Sequence, residues 1–292
     1  MGRAVSRGLA QAGHGVAAFD LGLAPFRLDM RDLSAVKAAI SAIRPQVVVH
    51  GAALTTARQA DGLDLLEVNV GGTLNLLEAV RPHPPQHLIL LSSSGVYGPH
   101  PQGLPLVEHD SQSYPSSSAY GLSKRLAEQA SRAASPPQTT VWALRLAAVY
   151  GPQEQPSSTR QQVSLVAQLA HGLSARGPVI LPRATHDLYN FVHTSDLVRL
   201  IDLISCQPPA GGFRVFNVGG PTHSALEIAE AMHQLLPQAG LLERIHWSTN
   251  PPIRHGAVDS TALAQQLGFV SQTPLTAGLQ DYLQVPREEI SV

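Results

Sequence analysis

The feature that most constrains the fold is an alternation in the first 150 residues or so, where short apolar runs are separated by stretches of helical periodicity. Gly15 to Asp20 (GVAAFD), Gln46 to His50 (QVVVH), His87 to Leu91 (HLILL) and Thr140 to Leu146 (TVWALRL) are expected to be strands. They lack a polar residue at every second position, the mark of strands covered on both faces. Asp32 to Ile43, Asp64 to Val80 and Ala119 to Ala134 carry helical patterns between them. Strand and helix in alternation imply a doubly wound parallel sheet with right-handed crossovers. Further on, Val215 to Gly219 is expected to be a strand and Ala225 to Leu236 an amphipathic helix, before a Pro-rich piece around Pro251 and Pro252 and a small helical tail.

Composition narrows the function classes. A net charge of -1 and a charged fraction of 14% provide no basic excess for nucleic acid or an acidic membrane surface. No run of 18 apolar residues suits a bilayer, and no signal peptide opens the chain, so a cytoplasmic protein is expected. The single cysteine, Cys206, has no internal disulfide partner and is expected to be a buried structural thiol. The 13 histidines form no HExxH pattern, and no metal site is expected.

Chemistry is concentrated in Tyr120-Gly121-Leu122-Ser123-Lys124. On a helix, residues four apart share a face, so the lysine ammonium can approach the tyrosine hydroxyl. A phenol with a reference pKa near 10 is a poor base at neutral pH. A neighbouring cation favours its ionised form and lets it exchange a proton with a substrate hydroxyl. Upstream, Leu91-Ser92-Ser93-Ser94-Gly95-Val96-Tyr97-Gly98 ends an apolar strand and offers hydroxyls beside that tyrosine. The loops Gly98 to Ser118 and Gly151 to Thr159 follow strand ends, where such sheets bind ligands.

The Ser-rich strand end, the Pro/Ser loop and the Tyr-x-x-x-Lys helix together resemble the extended short-chain dehydrogenase/reductase family, the NAD-dependent epimerase/dehydratase group. Val47 to Ala53, Glu67 to Asn75, Leu144 to Pro152, Asn190 to His193 with Asp196, and Phe216 to Gly220 match further landmarks in order. The resemblance implies a Rossmann-like fold, with Ser93 (Ser94 as runner-up), Tyr120 and Lys124 as catalytic residues and Asn69 supporting them. It implies NAD as cofactor, held by Gly2, Asp20, Asp29, Met30, Ala52 and Ala53 together with Tyr120 and Lys124. An acid at Asp20 accepts hydrogen bonds from ribose hydroxyls and repels a 2′-phosphate, which favours NAD over NADP.

Two departures from the family stand out. Met1-Gly2-Arg3 resembles the end of the glycine-rich loop running into the first helix, so a sheet lacking its first strand and most of that loop is expected. Either the start is internal to a longer protein, or the chain is truncated with impaired cofactor binding. The second departure concerns substrate. Ser94 and Gly95 stand where dehydratases carry an acid pair, so dehydration is not expected. Ala148 and Tyr189 stand where nucleotide-sugar enzymes carry an asparagine and a phosphate-binding arginine, which weakens the nucleotide-sugar reading without excluding it; Arg183 or Arg254 could substitute, though a solvated surface role is the better expectation for both.

The expected layout is a cofactor-binding domain over 1–151, joined by 189–218, and a smaller substrate lobe from 152–188 and 219–292. The expected function is NAD-dependent oxidation, reduction or epimerisation at a secondary alcohol of a sugar or sugar-derived small molecule, a nucleotide sugar being one candidate, by a homodimer. The alternative is a non-catalytic scaffold derived from the same family.

Overall fold

The computed structural model describes residues 1–22, 25–55, 62–99, 104–152, 154, 163–175, 178–181, 188–237, 240–247 and 257–284. Arg183, Arg254, Pro251 and Pro252 lie outside them, as does most of the loop from Gly151 to Thr159.

In chain order the first elements are α1 (Gly2–Gln11), β1 (Phe19–Asp20), β2 (Phe26–Arg27), α2 (Leu33–Ile43) and β3 (Val47–His50). A short α3 (Leu63–Leu65), a π-helical turn (Leu66–Gly71) and α4 (Gly72–Ala79) lead to β4 (His87–Ser93). Then follow α5 (Asp110–Ser113), α6 (Ala119–Ala134), β5 (Thr140–Leu146), β6 (Ala148–Tyr150), α7 (Leu165–Ala175), β7 (Val179–Leu181), β8 (Tyr189–His193), α8 (Thr194–Ser205) and β9 (Phe213–Val218). The chain continues through β10 (Thr222–His223), α9 (Ala225–Leu235), β11 (Ile245–Trp247), α10 (Thr261–Leu267) and α11 (Leu275–Gln284).

The main sheet is parallel, in the order β3-β4-β5-β9. Its pleat explains the unbroken apolar runs. In β4, Ile89 and Leu91 join Val5 and Leu9 of α1 and Leu197, Leu200 and Ile201 of α8 in one core. Leu88 packs on the other face with Val36 of α2 and Leu76, Leu77 and Val80 of α4. Leu90 meets Ala127 of α6 on that same opposite side of the pleat. A further apolar cluster joins α7, α9, β7 and β8.

Helix ends follow local chemistry. Asp32 accepts from Ala35 N at 3.0 Å to start α2, and Ser118 accepts from Gly121 N at 3.0 Å to start α6. Ser224 and Glu227 form a reciprocal capping box on α9.

Several expectations need correction. The strand expected over Gly15 to Asp20 is a strand only at Phe19 and Asp20, because the one ladder it forms is the two-residue pairing with β2. The single helix expected over Asp64 to Val80 is divided by the π-helical turn. Cys206 is exposed rather than buried, because α8 ends beside it and turns its C-cap outward. The loop Gly98 to Ser118 contains α5 and makes bridges from Tyr97 to Pro115 and from Leu106 to Val258. Helices α7 and α8 have no counterpart among the sequence-based elements.

One buried polar network joins the strand ends. Arg145 of β5 pairs with Glu128 of α6 through Nη2–Oε2 at 2.7 Å and Nε–Oε1 at 3.0 Å, with side chains 6% and 3% exposed. Ser92 of β4 donates to the same Glu128 at 2.5 Å. Arg145 also donates to the Tyr97 hydroxyl at 2.9 Å, which donates to Asn217 Oδ1 of β9 at 2.6 Å. Burial pushes the Tyr97 phenol up to about 12, so it remains a donor. Removing one partner of such a pair leaves a buried charge unmatched. Glu128→Ala is therefore expected to lower the unfolding free energy by about 3–5 kcal/mol in urea titrations. Lys37→Ala, which breaks the exposed Lys37–Glu78 pair, is expected to cost less than about 1 kcal/mol.

Candidate active site

A cleft of about 2510 Å³ runs beside β3 and past the carboxyl end of β4, taking in Asp20, the start of α1, Ser93, Tyr120 and Lys124. Helix α6 supplies two of these groups. Tyr120 sits in its first turn and Lys124 one turn later, with the lysine Nζ 5.9 Å from the tyrosine ring centroid. Lys124 is buried and donates to the Leu91 carbonyl of β4 at 2.9 Å. That leaves two of its three ammonium donors for other acceptors.

Ser93 ends β4, and its hydroxyl accepts from Gly95 N at 3.0 Å. The tyrosine and the serine flank Gly95, where an added Cβ would lie 3.2 Å from both Ser93 Oγ and Tyr120 Cε1. A Cβ on Gly121 would run into the Gly95 carbonyl, so a glycine is needed there for α6 to approach the strand end this closely. Ser94 also lines the cleft.

Asn69 is buried in the π-helical turn, with both amide N–H groups and its carbonyl oxygen engaged. Its Oδ1 accepts from Leu54 N at 2.8 Å, and its Nδ2 donates to Leu54 O at 3.0 Å and to Ser123 Oγ at 2.9 Å. Ser123 in turn donates to the Tyr120 carbonyl at 2.7 Å. Asn69 thus ties the segment containing Ala52 and Ala53 to the first turn of α6. It acts through other groups, as a positioning residue. A π-turn inserts one residue and re-aims a side chain, which is how Asn69 reaches both segments.

His50 ends β3 and also borders the cleft; sequence reasoning read it only as part of a strand motif. Burial, reinforced by the Lys124 ammonium, pushes its imidazole down to about 3, so it is neutral at physiological pH. Thr73 Oγ1 donates to the Asn69 carbonyl at 2.6 Å, so across the 3.0 Å contact it is His50 Nε2 that donates to Thr73.

The residues at the other end suit a dinucleotide. Helix α1 starts at the cleft without a side-chain cap at Met1, and the space around Gly2 is open. Its first N–H groups therefore face the position an anionic group would take. Ala52 and Ala53 line the cleft beside Asp20, and the Asp20 carboxylate accepts from Gly22 N at 3.0 Å while remaining exposed. Met30 lines it too. Asp29 does not line the cleft; Arg31 grips it at 2.6–3.1 Å and holds its carboxyl below the usual range. Of the remaining landmarks, Ala148, Val149, Asn190 and Phe191 also line the cleft. Asn190 bonds Gly220 O and Val258 N, and Asp196 accepts from Gln272 N and Thr273 N. No cluster of metal-ligating side chains occurs among the described residues.

Fold and cleft together define a nucleotide-cofactor enzyme of the doubly wound parallel class. Residues 1–219 match the family model described as NAD dependent epimerase/dehydratase family, and the chain belongs to that family, within the extended short-chain dehydrogenase/reductase group. It is 29% identical over 270 residues to UDP-glucose 4-epimerase of Yersinia pestis, covering 82% of this chain and 75% of the relative. It is 28% identical over 268 residues to dTDP-4-dehydro-6-deoxy-D-allose reductase of a Streptomyces species, covering 87% and 79%. Among solved structures, MoeE5 in complex with UDP-glucose and NAD superposes with a TM-score of 0.81 at 26% identity, over 99% of this chain and 96% of that one. UDP-glucose 4-epimerase of Thermotoga maritima, at 22% identity, shares the fold with a TM-score of 0.81 over 98% and 95%. The family is NAD-dependent and its members are enzymes, which places this chain among enzymes. No described helix is long and apolar enough to cross a membrane.

The depressed His50 value has a consequence for stability. Its folded pKa lies below the ordinary value near 6.5, so its contribution is fully present above about pH 6.5 and is lost as pH falls toward 3. His50→Gln, which keeps a donor for Thr73, is expected to remove up to about 1.4 kcal/mol per pH unit from the acid-side slope in urea unfolding. Equal slopes for both proteins between pH 6 and 4 would show that His50 is not buried neutral.

Proposed function

We propose that the chain interconverts a secondary alcohol and a ketone on a sugar, carried on a nucleotide, with Tyr120 as the proton-transferring group. The observation that carries this reading is the convergence of Tyr120, Lys124 and Ser93 on one stretch of the cleft, with α6 seated on β4 through the Lys124–Leu91 contact. Tyr120 takes the proton of the substrate hydroxyl as the carbon loses its hydride. Lys124, with two ammonium donors left after its bond to Leu91, would hold the nicotinamide ribose of the cofactor. Ser93 donates to the reacting oxygen. Gly2, Asp20, Asp29, Ala52, Ala53, Met30 and Lys124 would hold NAD, which supplies the hydride acceptor and donor, with Asp29 keeping acceptor sites beside its Arg31 pair. Asp20 favours NAD over NADP.

Release of the ketone gives a dehydrogenase, and its reduction from the opposite face gives an epimerase. The Yersinia relative named as an epimerase and the UDP-glucose held by MoeE5 support a nucleotide sugar and epimerisation. The lobe boundaries remain as read, with 1–151 and 189–218 around the cofactor, and 152–188 with 219–292 over the substrate.

Tyr120→Phe is expected to lower kcat by about a hundredfold to ten-thousandfold on UDP-sugars while NAD affinity stays within about threefold. Undiminished turnover would remove Tyr120 from the mechanism. Turnover without accumulating NADH is expected for the epimerase, and stoichiometric NADH would assign a dehydrogenase.

The packed helices α4 and α6 leave Leu74, Leu122 and Leu126 exposed, which supports a homodimer through this face. Leu126→Glu is expected to sediment as a monomer where the unchanged chain sediments as a dimer; a monomer in both cases would reject this interface.

A further inference from the structure

Arg125 and Arg132 stand two turns apart on one side of α6, with Gln129 between them. Together with α5 and β9, that side of the helix encloses a pocket of about 250 Å³. The pocket shares no lining residue with the cleft. The buried Arg145–Glu128 pair forms one part of its wall, and Phe213 and Val215 of β9 form the apolar part.

Three arginines and two glutamates line this pocket, and both glutamates are engaged from within the protein. The two oxygens of Glu128 accept from Arg145, and Glu108 Oε1 accepts from Asn217 N at 2.8 Å. Arg145 directs its donors to Glu128, the Tyr97 hydroxyl and the Glu108 carbonyl. Arg125 and Arg132 have no carboxylate partner among the described residues. Arg125 is half-buried, and the Arg132 guanidinium carbon lies 5.0 Å from the Phe213 ring centroid. Two guanidinium forks therefore border one small pocket, one steadied by an aromatic ring and the other partly withdrawn from water.

Such an arrangement selects for the shape of an anion as well as its charge. A carboxylate matches one fork, whereas a tetrahedral dianion with three free oxygens accepts from two. The pocket is smaller than the ~300–1,000 Å³ of ordinary ligand pockets, so it suits a phosphoryl group with few attached atoms rather than a nucleotide. Gln112 and Gln129, both exposed, add neutral amide donors. We propose that this pocket is a second binding site, which takes a small phosphoryl dianion between Arg125 and Arg132. The proposal is independent of the catalytic reading, because none of its residues borders the cleft.

The test is calorimetric titration of the full chain at low salt, with inorganic phosphate and with glycerol 3-phosphate as probes. One phosphate per chain is expected to bind, with a Kd of about 1 mM or tighter. Arg125→Gln and Arg132→Gln are each expected to weaken binding at least about tenfold, through loss of a charge-assisted hydrogen bond. Gln129→Glu, which sets a carboxylate between the two arginines, should abolish it, while circular dichroism stays native in all three variants. Tighter binding of glycerol 3-phosphate than of phosphate would support the site with a phosphate ester as its ligand; equal or weaker binding would support it with the free ion. No heat of binding at about 10 mM of either probe would overturn the proposal. So would undiminished binding in both arginine variants, which would place the anion elsewhere on the chain.

Discussion

The seating of α6 on the end of β4 is the contact on which the site depends. Two bonds one helical turn apart fix it, Lys124 Nζ to the Leu91 carbonyl and Ser92 Oγ to Glu128. Consecutive strand residues thus engage side chains four apart on one helix face. A slip of α6 by one residue would break both, and would also carry Tyr120 off the face that meets Ser93. Glu128 is held from the far side by Arg145, so the same network that sets the helix register joins β4, β5 and β9 at their carboxyl ends. Stability and site geometry are therefore properties of one set of buried polar groups.

Asn69 extends this arrangement toward the cofactor end. By clamping both main-chain groups of Leu54 and donating to Ser123, it fixes the distance between the Ala52–Ala53 segment and the first turn of α6. The neutral His50 and Thr73 brace the same turn from β3. A cleft whose two ends are fixed through a single asparagine can hold an extended cofactor with its reactive end beside a fixed tyrosine.

Much of this was legible in the chain. The apolar runs at His87 to Leu91 and Thr140 to Leu146 are the central strands, because burial on both faces favours apolar side chains, and the charge that does occur, Arg145, is paired with Glu128. Spacing alone put Tyr120 and Lys124 on one face of α6. Other features were not legible, for identifiable reasons. The π-turn at Leu66–Gly71 has a sequence periodicity that looks like an ordinary helix, and the Asn69 contacts it accompanies are made across space. The Glu128 network links residues 17 and 36 positions apart, a relation that local pattern does not encode. Cys206 looked buried because the run before it is apolar, yet the helix carrying that run ends just before it. Asp29 is expected at the cofactor, and its pairing with Arg31 two residues on is a contact that spacing did not announce.

The central claim is that these fixed groups form a working dinucleotide site, and calorimetric titration of NAD into the folded chain tests it most directly. One NAD bound per chain at micromolar affinity or better, with much weaker binding of NADP, is the predicted result. A chain that shows native circular dichroism and yet no heat of NAD binding would contradict the claim.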